Sequence, residues 1–157
     1  MKSKTKRLTV AAASLAVLFT LVAAPYSSSA ESVAKTAPPP IEFRPLTDYT
    51  GYTYLLSSSR SITDNLNQTA SITVATRTKS IVDELGAIVQ LQQWTGSAWA
   101  DNGAASTLSS ANTNVFSGTA VKSASSGYYY RAKVIHYAKK GGITEQVTEY
   151  SDSIQIQ

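Results

Sequence analysis

Between residues 49 and 156 the sequence repeats in twos. Thr69–Thr78 puts Ile72, Val74 and Thr76 on one side and Ser71, Thr73 and Ala75 on the other. Alternation of that kind is the mark of a strand with one buried face, because successive side chains leave a strand on opposite sides. The same reading covers Tyr49–Leu56, Ser61–Thr63, Ile81–Trp94, Thr113–Lys122, Tyr128–Ala138 and Ile143–Ile156. A helical reading of residues 80–94 is opposed by Gly86, by β-branched residues and by the two-residue period. Turn-forming clusters separate the runs: Asp64-Asn65-Leu66-Asn67, Thr95-Gly96-Ser97, Ser123–Gly127 and Lys139-Lys140-Gly141-Gly142. Residues 101–112 are Asn, Ala, Ser and Thr without a period and read as loop. The expectation is an all-β domain, an immunoglobulin-like or fibronectin-III-like sandwich of about seven or eight antiparallel strands. A small β-barrel is the alternative.

The first residues obey another rule. Lys2, Lys4, Lys6 and Arg7 precede an apolar run from Leu8 to Ala24, and small residues then lead to Ala30. A basic segment, an apolar core and a small-x-small site form a signal peptide, so residues 1–30 are expected to direct export and be removed. The exported protein is then expected outside the cell, without a membrane anchor. Residues 31–48, with Pro38-Pro39-Pro40 and Pro45, read as an extended spacer. The domain proper is expected over 49–157.

Export changes the meaning of the charge. The chain has 14 Lys and Arg against 10 Asp and Glu. Four of the basic residues lie in the signal segment, so the remainder balances the acids. A nucleic-acid partner is therefore not expected, since such binding rests on phosphate neutralisation. There is no cysteine, which excludes disulfide staples and thiolate chemistry and leaves the core to hold the fold.

On the strand at 128–138, Tyr128, Tyr130, Ala132, Val134 and His136 share one face, and the small Ala and Val mark it as the core side. Tyr130 then fits the buried tyrosine corner of sandwich domains. Tyr129, Arg131, Lys133, Ile135 and Tyr137 share the other face, as an exposed mixture of rings and cations.

Three segments resemble a family of small secreted proteins from Gram-positive bacteria, a domain of unknown function. They are Val82-Asp83-Glu84-Leu85-Gly86, then Leu91–Trp99, then Gly127–Arg131 with His136-Tyr137 and Glu145. The resemblance spans about residues 55–155. It implies export and a compact β domain, and it assigns no catalytic or binding residue.

Chemistry has little material. His136 is the one histidine, and a nucleophilic triad needs a base in contact with nucleophile and acid. With a four-residue hairpin loop it would stand opposite Glu145 as a structural pair; a three-residue loop would break that register. Asp83 and Glu84 face opposite ways, and Glu145 and Glu149 lie roughly 13 Å apart along a strand, too far for paired glycosidase acids. No catalytic residue, metal or cofactor is expected; Asp64–Asn67 and Asp101-Asn102-Gly103 read as turns. Binding is the sharper option. Trp94 and Trp99 flank a tight turn and stand opposite each other if the loop has two or four residues. They could form a platform for a sugar, and Tyr129, Arg131, Lys133 and Tyr137 a protein-binding face. The expected function is thus a non-catalytic extracellular module for a surface polysaccharide or protein. A structural or assembly protein using its sheet edges is the second reading, and a hydrolase the third.

Overall fold

The computed structural model describes residues 32–44 and 46–157. The expected signal peptide lies outside the described residues, as does Pro45. The described residues form an all-β structure: β1 (Leu55–Asp64), β2 (Thr69–Trp94), β3 (Trp99–Ser123), β4 (Tyr129–Lys140), β5 (Ile143–Tyr150) and β6 (Ile154–Gln155). All pairings are antiparallel and belong to one sheet, which curls into a half-barrel.

There are six strands among the described residues rather than the expected seven or eight: Tyr49–Tyr54 is not strand, β1 takes in the Ser61–Thr63 run, and Ile143–Ile156 is broken into β5 and β6. Two further differences shape the fold. The runs at 69–78 and 81–94 are one strand of 26 residues, bent where its pairing shifts between Arg77 and Val82. Residues 101–112 are not loop: they lie within β3, opposite the second half of β2, from Trp94↔Trp99 to Glu84↔Ala111. Partner strands impose extended structure on a segment whose own pattern is too polar to announce it.

The bent β2–β3 hairpin organises the rest. β3 runs along one side of β2. Along the other side, β1 pairs with the first half, Ala70–Thr78, and β4 with the second, Glu84–Gln93. The two halves of β2 therefore present their apolar sides to a common core. Ile72 and Val74 come from one, Leu85, Val89 and Leu91 from the other, and Ala132 and Val134 join from β4. Each Val, Leu or Ile so buried contributes about 1.5–3 kcal/mol. The close packing leaves no room at Gly86, where an added Cβ would lie 2.3 Å from the Leu108 carbonyl oxygen.

β4 presents the expected faces. Tyr130, Ala132, Val134 and His136 are buried on the core side. The Tyr130 hydroxyl accepts a hydrogen bond from the Ser125 amide at 2.8 Å and donates to Gln93 at 3.3 Å. The other face is not the open surface expected, since Arg131 and Tyr137 are also buried. The last hairpin closes through two residues, Gly141 and Gly142, both at positive φ, as a type I′ turn demands. His136 consequently stands opposite Val147, and Glu145 opposite Ala138. The four-residue loop, and with it the His136–Glu145 pair, is not formed.

The edges of β1 and β5 meet without a backbone ladder; side chains join them. The Glu145 carboxylate accepts three amides, from Thr53 (2.6 Å), Tyr54 (2.8 Å) and Leu55 (2.9 Å). Arg60 donates to the Tyr150 carbonyl at 3.0 Å, and Ser58 to Glu149 at 2.7 Å.

Candidate functional site

Trp94 and Trp99 close the β2–β3 hairpin. The loop between them has four residues, and Thr95 and Ala98 bond across it, so the two tryptophans stand directly opposite each other. Their ring centroids are 5.3 Å apart, with the planes tilted by 55°. The next rung toward the core carries Gln92 and, on β4, Arg131. Beyond β4, Tyr150 ends β5. Alternation places these side chains on the outer face of the sheet, and they converge.

Arg131 is the centre of the convergence. Its guanidinium lies 4.4 Å from the Trp99 ring centroid and 4.3 Å from that of Tyr150, so it is sandwiched between the two. A planar, delocalised cation suits such a slot where an ammonium does not. Its Nε donates to Gln92 at 2.9 Å, and Gln92 in turn donates to Asp101 at 2.8 Å. Its Nη1 donates to both carboxylate oxygens of Glu42, each at 2.9 Å.

Glu42 belongs to the segment expected to be a spacer. Residues 32–44 belong to no strand and bend at Lys35–Thr36; Pro38-Pro39-Pro40 restricts φ in the middle, and the segment lies along the domain as a strap. Near its start the Lys35 amide bonds the Gly127 carbonyl at 2.8 Å. The Trp94 indole donates to the Ala37 carbonyl at 3.1 Å. The Trp99 indole donates to Glu42 at 3.1 Å. Arg44 holds Glu42 at 2.9 Å and donates to the Tyr150 and Ser151 carbonyls. Burial opposes ionisation of Glu42, but Arg44, Arg131 and the Trp99 indole outweigh it and hold the carboxyl below its ordinary value. Pro39 and Pro40 line a cleft with Trp99 and Asp152.

The tryptophans are therefore not a bare platform. Trp94 is only 7% exposed, and the tilt of the pair does not offer one flat surface. Of the remaining expected residues, Tyr137 lies apart, six positions along β4 from Arg131, or about 20 Å. Its hydroxyl donates to Glu84, and Lys139 bonds that carboxylate at 2.8 Å. Tyr129 pairs with Gln155 of β6, and Lys133 lies opposite Gln90 and Tyr150; neither enters the cluster. No protein-family model, no curated protein and no solved structure matches this chain.

Residues that sequence reasoning passed over are Glu42, Arg44 and Ala37 on the strap, with Gln92 and Tyr150. A signal was present. Ile41-Glu42-Phe43-Arg44 alternates charge with apolar bulk, and buried indole N–H groups require acceptors.

His136 sits on the opposite side of β4 and is fully enclosed. Its Nδ1 is 2.7 Å from the Thr76 hydroxyl. Its Nε2 has no hydrogen-bond partner and lies 3.6 Å from Glu149. Burial is the main cause that lowers its pKa to about 4; Arg60 adds to this and Glu149 opposes it. A general base must reach the proton that it takes, and this imidazole faces only protein. Among the described residues no cluster of three or more His, Asp or Glu is placed to hold a metal. No helix among them is long and apolar enough to cross a membrane.

Proposed function

We propose that this chain is an exported, non-catalytic module that binds an extended polypeptide of an extracellular surface through the Trp94–Trp99–Arg131–Tyr150 groove. One observation carries the reading: the groove already holds an extended peptide, residues 36–44, by contacts that any suitable chain could make. An indole takes a backbone carbonyl, and an arginine stacked between two rings takes a carboxylate with a second indole. Proline-rich segments suit aromatic grooves because their extended form is set in advance. A polypeptide is favoured over a polysaccharide because the covered, tilted tryptophans present no open ring pair to a sugar. The leader-like residues 1–30 support export, and the resemblance to small secreted Gram-positive proteins agrees with it. The half-barrel is read as a variant of the immunoglobulin-like sandwich. Its support is the Tyr130–Ser125 corner and the way the two halves of β2 face each other across the core.

Retention on insoluble cell-surface fractions tests the binding reading. The protein should be retained, retention should fall when the fractions are first treated with protease, and Arg131→Ala should abolish it. Retention that protease leaves intact would move the reading to a polysaccharide.

A second reading, a structural assembly protein, is favoured by β3. This strand of 25 residues pairs on one side only, and its charges are Asp101 and Lys122 alone. Edges so long and so little charged invite strand addition.

A further inference from the structure

The strap shows an unusual division of its side chains. Glu42 and Arg44 turn inward to the groove. Ile41, Phe43 and Leu46 turn outward and are 102%, 92% and 96% exposed. Val33, earlier in the strap, is 86% exposed. Single apolar residues on a surface are ordinary, but this is a succession on one short segment; Phe43 and Leu46 only rim a shallow cavity beside Arg60 and Glu149 and stay in water. The strap is also weakly built in. It joins no strand ladder, and Lys35 to Gly127 is the one backbone–backbone hydrogen bond it makes among the described residues. Its other anchors involve side chains: Ser32, Lys35 over the Tyr128 ring, Ala37, Glu42 and Arg44, with Thr47 on Glu149 just beyond it. Residues between Leu46 and Tyr54, with turns and bends only, tether it to β1.

We infer that the groove takes residues 36–44 of a second copy of this chain, in reciprocal exchange. The inference rests on the groove being a peptide acceptor, as proposed above. An exchanged segment remakes the groove contacts of the resident one: Ala37 to the Trp94 indole, Glu42 to Arg131 and Trp99, Arg44 to the Tyr150 carbonyl. Nothing in the groove is lost, which is why exchange of an identical element is a low-cost route to dimers. What exchange adds is a neighbour. It brings a second domain beside the outward row of Ile41, Phe43 and Leu46, which a lone copy leaves in water. Reciprocal exchange satisfies both grooves and closes on a two-fold axis.

A charge swap divided between two chains tests this. Glu42→Arg and Arg131→Glu are each expressed from the full-length chain. Alone, each sets like charges against each other in its groove. In an equimolar mixture, an exchanged heterodimer sets opposite charges against each other in both grooves. The Glu42→Arg strap meets the Arg131→Glu groove, and the unaltered strap of the second chain meets the unaltered Arg131 of the first. Size-exclusion chromatography with light scattering should show heterodimer at about tenfold or more over the dimer of either variant alone, the scale set by a charge pair made rather than opposed. A mixture that remains two monomers overturns the inference. A second measurement does not depend on the variants folding. Wild-type chains of natural abundance and 15N-labelled wild-type chains are mixed at high concentration and read by native mass spectrometry. Mixed-isotope dimers are expected, and their absence overturns the inference. Failure of surface retention alongside heterodimer formation would remove the external ligand and leave exchange standing; retention without exchange would do the reverse.

Discussion

Two carboxylates tie distant parts of this molecule together, and they do so under opposite conditions. Glu149 lies inside the β1–β5 seam, 6% exposed, between Ser58, Thr47, Arg60 and the edge of His136. Glu42 lies on the strap, 39% exposed, against Arg131, Arg44 and Trp99. Both are held ionised by neighbours that outweigh burial. The seam partners come from β1, β4 and the Thr47 segment that leads into β1, and Glu149 itself is shut away from water, so the cluster separates only if the sheet opens. At the strap Glu42 itself faces water on one side, and when released it is simply hydrated. The same chemistry is structural where solvent is excluded and exchangeable where solvent is near.

The comparison breaks most visibly at Glu149. Glu149→Ala leaves Arg60 without its carboxylate, deprives the Ser58 and Thr47 hydroxyls of their acceptor, and removes one of the side-chain links between β5 and β1. Loss of one member of a buried pair typically costs 3–5 kcal/mol. Because Arg60 is 28% exposed and can turn to water, a loss of about 3 kcal/mol in urea unfolding is expected. A loss below about 1 kcal/mol would mean that the seam does not close the half-barrel.

Acid probes the same seam in two steps. His136 titrates at about 4 in the fold against an ordinary 6.5. The unfolded chain therefore takes up its proton first as pH falls. Stability is full above about pH 6.5 and declines toward pH 4, by about 3 kcal/mol at most. The Glu149 carboxyl is held below its ordinary 4.5, so its contribution is present above that value and is lost only at lower pH. Unfolding free energy measured from pH 7 to about 5, above the range where the carboxyls take part, should slope for wild type and lie nearly flat for His136→Gln. An equal slope in both would place the acid sensitivity elsewhere.

How much of this was legible depends on what each residue's neighbours supply. The β class was readable because Ile72, Val74 and Thr76 alternate with polar residues on their own strand. The inward side of β4 was readable for the same reason, and so was the opposition of Trp94 and Trp99, which a short local loop controls. The fusion of 69–78 with 81–94 was not, because the bend is a property of pairing with β1, β3 and β4 together. Residues 101–112 are strand only because the second half of β2 lies beside them. The strap was hidden for another reason. A polyproline-like segment carries no hydrogen-bond period, and its docking partner Arg131 lies 89 residues from Glu42.

Glu42 should behave unlike Glu149. Ion pairs this exposed contribute about 0–1 kcal/mol, so Glu42→Ala should shift global unfolding by about 1 kcal/mol or less. Its effect should be local. Both tryptophans of the chain lie under the strap, so their emission should move to longer wavelength, and protease should cut between residues 32 and 46 while the sheet stays intact. A global loss matching that of Glu149→Ala would erase the distinction between seam and strap.

The smallest effect is expected farthest from both carboxylates. Ile41 and Phe43 touch water rather than the groove, and substitutions at such positions usually change stability by less than about 0.5 kcal/mol. Ile41→Ser with Phe43→Ser should therefore leave urea unfolding and tryptophan emission as they are in dilute wild type. Removing the outward apolar row leaves the Glu42–Arg131 contact in place but takes away what a second copy would cover. Dimer measured by light scattering at high concentration should fall, while the strap stays docked in the monomer. If the double substitution instead shifted the emission or lowered stability by more than about 1 kcal/mol, the row would be packed against its own domain, and the strap would be part of the fold rather than an occupant of the groove.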